Sequence, residues 1–274
     1  MVDGMVSHRH CSPLVGRRAL TRAQADLGDE APSNSRDRGT MAAEFVLVAG
    51  PMVRASSWEP TAVHLRQTGC SVQVPDVLAN CAAPPAWSAW SRHLLDHIAP
   101  TDDLILVGHS SGSALVADLA TKLPASAIII VDGDIPPAQG RASPVRPALH
   151  DFVKSLAGAD GMLPVWSRWF ARDPQRATLI GLDRLAGDPL ALARFEDGLP
   201  TMQVDWFDDT IELSRWDHVP AGFIQTSAIY DHATAEALRR GWPVERLAGT
   251  HLHPTLCPAE MAGAILSIAG RVSN

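Results

Sequence analysis

The stretch Asp103-Leu-Ile-Leu-Val-Gly108-His-Ser110-Ser-Gly112-Ser-Ala-Leu-Val constrains this chain more than any other. An apolar run ends in Gly-x-Ser-x-Gly, and a helical pattern of small residues follows at once. Continuous Leu, Ile and Val without alternation is the pattern of a strand covered on both faces, as in a parallel sheet. A direct turn from such a strand into a helix forces Ser110 into a strained backbone conformation. Gly108 and Gly112 flank it because a Cβ at either position would strike a neighbouring strand or helix. The helix is expected to begin at Ser111, which sets its free N–H groups and positive dipole end beside the serine oxygen. Strand, elbow and helix together expose a nucleophilic serine on an open α/β sheet. The alternative is an idle serine in a glycine-rich turn.

The remaining chain alternates in the same way. Residues 45–48, 71–74, 127–131, 222–226 and 244–247 read as strands. Helical patterns at about 57–67, 87–98, 111–122, 233–240 and 258–269 separate them, with a loop through Pro84-Pro85 before the second. This order predicts an α/β fold with a mostly parallel, doubly wound sheet. The alternation lapses over 138–216, where helical patterns, prolines and Trp166, Trp169, Phe170, Trp206, Phe207 and Trp216 occur without an evident buried strand. That segment is expected to be a helical cap inserted into a core formed by 41–137 and 217–274. Residues 1–40 are rich in Arg, Ser, Asp and Gly without periodicity and read as a disordered extension, with Met41 a possible later start. No hydrophobic segment follows the early charges as in a secretory signal, and Asp26, Asp29, Glu30 and Asp37 count against an Arg-rich targeting peptide.

A chain of 274 residues suffices for one large α/β domain with a lid. Its net charge of -7 argues against nucleic acid and against a basic membrane-binding face. No apolar run approaches a membrane span. Cys11, Cys70, Cys81 and Cys257 show neither metal-ligand spacing nor a dense disulfide pattern, so a reducing cytoplasm is expected. No phosphate loop, nucleotide fingerprint or metal cluster is visible, and no cofactor or metal is expected. The expected partner is a small-molecule substrate, and a homodimer is left open.

From residue 44 onward the chain resembles the α/β-hydrolase superfamily. It is most similar to the short-chain branch of methylsalicylate esterases and hydroxynitrile lyases, and to actinobacterial hydrolases of that kind. Three segments carry the resemblance: Phe45-Val-Leu-Val-Ala-Gly-Pro-Met-Val-Arg-Ala-Ser-Ser-Trp58, like the first strand and oxyanion loop; Gly108-His-Ser-Ser-Gly112, the elbow; and Gly249-Thr-His251-Leu-His-Pro-Thr-Leu-Cys-Pro258, like the histidine loop. Two departures stand out. The usual His-Gly of the oxyanion loop is Ala49-Gly50, and the next position, which in the family donates a backbone N–H, is Pro51. Where the family places its acid after the strand ending near Thr226, Ala228 stands.

A serine hydroxyl needs a base within reach, and the base needs a carboxylate that fixes its tautomer. The resemblance implies the chain order Ser, acid, His. His251 is the preferred base over His253, which lies just before Pro254. His109 is expected in the pocket wall, while His64, His93, His97, His150 and His218 are expected to be solvated. Two acids compete: Asp231 before a helix, where an N-cap role is the alternative, and Asp132, where Asp-Gly would simply form a turn. Asp231 is slightly favoured, and Asp134 is a weaker third. Gly50, Pro51, Met52 and Ser111 are expected around the oxyanion, with Trp166 and Trp169 toward the substrate. The cap tryptophans suit an apolar or aromatic compound, or else merely pack the cap. The expected activity is Ser-His-Asp hydrolysis of an ester or other acyl bond. A lyase or cyclase using Ser110 and His251 as acid and base is the alternative, and a catalytically dead binding protein ranks low. Because Pro51 lacks an N–H, either the Met52 N–H or the Arg54 side chain substitutes for it, or hydrolysis of generic esters is expected to be slow.

Overall fold

The computed structural model describes residues 43–77, 87–143 and 145–273. The extension over 1–40, the Pro84-Pro85 loop, Cys11 and Cys81 lie outside the described residues. In chain order, β1 (Glu44–Val48), α1 (Glu59–Gln67), β2 (Ser71–Gln73), α2 (Trp87–His97), β3 (Leu104–His109), α3 (Gly112–Leu119) and β4 (Ala125–Val131) form the first half of the core. After the insertion come β7 (Ala221–Gln225), α8 (Asp231–Arg239), β8 (Val244–Arg246), α9 (His253–Leu256) and α10 (Pro258–Val272).

These strands make one six-stranded sheet in the order β2-β1-β3-β4-β7-β8. Every pairing in it is parallel. The apolar runs explain why β3 and β4 sit centrally: all of β3 is buried, as are Ala127 to Val131 of β4. β2 and β8 are short, partly exposed and confined to the edges. Helices α1 and α10 pack together, as do α2 and α3, which covers the sheet with amphipathic helices. The sheet order brings the carboxyl ends of β3, β4 and β7 side by side, which is where an open parallel sheet presents its site.

The inserted segment is mainly helical. It contains α4 (Pro147–Leu156), α5 (Pro174–Ile180), α6 (Leu182–Ala186) and α7 (Pro189–Glu196). Its local signals are strong. Asp173 and Asp188 cap α5 and α7 by accepting from backbone N–H groups at 3.0 Å, each just ahead of a proline. Gly181, at φ 96°, ends α5 in the left-handed region and permits the abrupt start of α6. One expectation is corrected: the insertion also contains strands. β5 (Gly140–Ala142) and β6 (Ile211–Leu213) pair antiparallel where the segment leaves and rejoins the core. Three residues apiece are too few for a period of two to show in the sequence. Core and insertion together belong to one compact unit, Ala42–Asn274.

Candidate active site

Ser110 sits at the turn from β3 to α3 with φ 56°, the left-handed region that L side chains avoid. Close packing holds it there. A Cβ on Gly108 would lie 2.6 Å from a Val116 methyl, and one on Gly112 would lie 2.8 Å from the Val48 carbonyl oxygen. A third glycine completes the cradle: a Cβ on Gly133 would lie 2.4 Å from the Ser110 carbonyl oxygen. Ser111 is the N-cap of α3, so its N–H points from the positive end of a helix start.

Asp132 follows β4 directly and is itself in the left-handed region, at φ 42°. Its backbone N–H bonds to the Ile224 carbonyl of β7 at 2.8 Å, and its side chain is fully buried. One carboxylate oxygen accepts from the N–H groups of Thr226 and Ser227, both at 2.9 Å. The other accepts from the Ser227 hydroxyl at 2.6 Å and from His251 Nδ1 at 2.8 Å. Burial pushes this carboxyl up, but the His251 hydrogen bond and charge, the Ser227 hydroxyl and the Thr226 N–H hold it below its ordinary value. A carboxylate accepts only, so His251 donates to it through Nδ1–H.

Of the two acids, the structure brings Asp132 and not Asp231 to His251. Asp231 opens α8 as an exposed residue, and its carboxylate accepts from the Gln225 amide. The loop after β7, at Thr226 and Ser227, contributes donors to Asp132 instead of an acid of its own. Asp134 contacts His232 at 2.6 Å and Arg146 at 3.4 Å. His253 is buried with its Nε2 3.2 Å from Glu260. His109 is buried, and its Nε2 donates to the His251 carbonyl at 3.0 Å. Burial, and then the His251 charge, lower His109 from 6.5 to about 3, so it stays neutral at neutral pH.

Ser110, Ser111, Met52, Trp166, Trp169 and His251 all face one cavity of about 400 Å³ between core and insertion. An adjoining recess of about 20 Å³ is lined by Gly50, Met52, His109 and Ser110. Among the described residues no direct hydrogen bond joins Ser110 to His251; such contacts commonly tighten only around substrate. Pro51 is buried in the loop after β1. Arg54, one potential substitute donor for it, is engaged by the Asp76 carboxylate at 2.7 Å. Trp166 lies 6.4 Å from the His251 ring, and Trp169 donates its indole N–H to the Pro164 carbonyl at 2.7 Å. Trp206 packs on Trp90, and Trp216 is fully buried against Trp242, so those two serve packing. Sequence reasoning passed over Tyr230 and Arg146, which also line the cavity. The signal for Tyr230 was its singularity, since the chain has one tyrosine and it stands just before Asp231.

His253, Cys257 and Glu260 bring three potential metal-ligand atoms within 4.8 Å of one another, which their sequence spacing did not suggest. The Arg184 guanidinium approaches Cys257 Sγ at 3.6 Å. A cation at that position disfavours a second one.

The sequence profile described as "Alpha/beta hydrolase family" matches residues 45–264. A search of curated proteins returned no match. Solved structures are similar in fold. An extracellular alpha/beta-hydrolase from a Paenibacillus species, described as sharing homology with tobacco salicylic acid binding protein 2, is 18% identical with a TM-score of 0.62, covering 82% of this chain and 98% of its own. Tomato methylketone synthase I complexed with 2-tridecanone is 19% identical with a TM-score of 0.63, covering 84% and 99%. A pyrethroid hydrolase from Sphingobium faniae JZ-2 is 18% identical with a TM-score of 0.55, covering 84% and 98%.

Proposed function

Because the chain belongs to the alpha/beta hydrolase family, which supports a hydrolase activity, we propose that it cleaves an ester or other acyl bond of a small apolar or aromatic molecule through Ser110, His251 and Asp132. The observation that carries this proposal is the 2.8 Å contact of Asp132 with His251 Nδ1, with Nε2 left free in the cavity that Ser110 faces. Ser110 Oγ attacks the acyl carbon as His251 Nε2 takes its proton. The intermediate collapses when His251 returns that proton to the leaving group, and water then releases the acyl group by the same relay. Asp132 stays ionised throughout and stabilises the imidazolium. The cavity's size and its tryptophan, phenylalanine and aliphatic lining suit a small apolar acyl compound.

The alternative is a non-hydrolytic reaction in which Ser110 and His251 act as acid and base. What favours it is Pro51, which has no N–H to offer a tetrahedral oxyanion. Turnover of a panel of aryl esters by the wild type and by Ser110→Ala separates the two. Ester cleavage that disappears in the variant supports acyl transfer. A wild type inert toward every ester contradicts it.

A further inference from the structure

Tyr230 ends a short 3-10 turn, Ala228–Tyr230, between β7 and α8. Its ring is buried and lies nearly parallel to that of His251, with centroids 5.6 Å apart at 25°. It lines the same cavity as Ser110, Ser111 and His251. The Arg146 guanidinium also stands over the ring, 5.8 Å from its centroid. Burial and then the Asp134 carboxylate push the phenol above its ordinary value, so the group keeps its proton and acts as a donor. The relay from Asp132 through His251 is complete without this hydroxyl. Its placement in the cavity, stacked on His251 and beside Ser110, therefore calls for a different role.

The vacancy in the machinery is a donor. Acyl transfer places negative charge on the carbonyl oxygen, and two preorganised donors normally hold it. Ser111 offers one N–H at the start of α3, and Pro51 offers none. We infer that the Tyr230 hydroxyl is the second oxyanion donor, taking the place of the N–H that Pro51 lacks; this rests on the acyl-transfer proposal above. The carbonyl oxygen of a bound acyl group stands two bonds from Ser110 Oγ once that atom attacks. Tyr230 lines the cavity in which that oxygen forms. During attack the carbonyl π pair moves onto oxygen and the serine proton passes to His251. Tyr230 donates a hydrogen bond to the new oxyanion and keeps its own proton. Collapse returns the pair to the carbonyl as the leaving group departs.

Tyr230→Phe keeps the ring and its stack on His251 and removes only the hydroxyl. The expected result is a fall in kcat on an activated aryl ester of about 100- to 1,000-fold, with KM and the unfolding midpoint little changed. Pro51→Ala restores a backbone N–H. It should raise kcat by a larger factor in the Tyr230→Phe background than in the wild type, because both groups serve one oxygen. A Tyr230→Phe kcat within about three-fold of wild type, or equal Pro51→Ala factors in the two backgrounds, overturns the assignment. Labelling of wild-type Ser110 by a fluorophosphonate reports on the underlying proposal separately. A labelled serine with an unaffected Tyr230→Phe rejects Tyr230 alone, and an unlabelled wild type rejects both.

Discussion

Asp132 and His251 are 119 residues apart in sequence, and a buried 2.8 Å hydrogen bond joins them. Strand order makes this possible: β4 delivers Asp132 beside the end of β7, and Thr226 and Ser227, which follow β7, donate to its carboxylate. The carboxylate is thus held by three donors besides the histidine.

Replacing Asp132 by Asn removes the charge and frees His251 to adopt the wrong tautomer. A loss of about 10⁴ in kcat is expected, with little change in KM. Asp231→Asn, at an exposed helix start, should stay within a few-fold of wild type. Steady-state kinetics on one ester with both variants decides between the acids, and the opposite ranking would restore Asp231.

The two histidines of the loop should separate in the same assay. His251→Ala should lose several orders of magnitude in rate, comparable to Ser110→Ala, because the members of such a unit act together. His253→Ala removes a buried ring packed against Gly249 and paired with Glu260, so it should lower the unfolding midpoint more than the rate. Rate loss confined to His253→Ala would contradict the role given to His251.

Most of this architecture was legible in the chain. The uninterrupted apolar runs marked β1, β3, β4 and β7, and Gly108 and Gly112 marked the elbow, because burial and steric exclusion act on those residues directly. Asp132 was ambiguous because Asp-Gly is equally a turn. What distinguishes it is the register of β4 against β7, a non-local property that no window of sequence carries. Gly133 is the clearest case. Next to an aspartate it reads as turn chemistry, yet the space it leaves is filled by the Ser110 carbonyl.

Gly133→Ala therefore tests the elbow. Its Cβ would meet backbone atoms of Ser110 at 2.4 Å and 3.2 Å, and backbone cannot yield as a side-chain tip can. A destabilisation of about 1–3 kcal/mol is expected from overpacking. A displacement of Ser110 by about 1 Å would also cost about 100-fold in rate. Denaturant unfolding and ester turnover check both, and a fully active, fully stable variant would show that the contact is not restrictive.

Acid should destabilise the fold through His109. Its folded value, about 3, lies below the ordinary 6.5, so between those limits the unfolded chain binds a proton that the folded chain does not. Its contribution is complete above 6.5 and is lost as pH falls toward 3, by up to about 1.4 kcal/mol per pH unit. Asp132, held below its ordinary 3.8, adds a separate loss in a more acidic window, as pH falls from that value through its folded one. Denaturant unfolding from about pH 7 to about pH 4 should show a shallower slope for His109→Gln than for wild type. Equal slopes would contradict a buried neutral His109.

The central claim is that Ser110 is a nucleophile activated by His251. It is tested most directly by incubating the protein with a fluorophosphonate and locating the adduct by mass spectrometry of its peptides. The account predicts a single adduct on Ser110, absent from Ser110→Ala and strongly slowed in His251→Ala. An adduct on Ser111 or Ser113, or labelling that persists in Ser110→Ala, would contradict it.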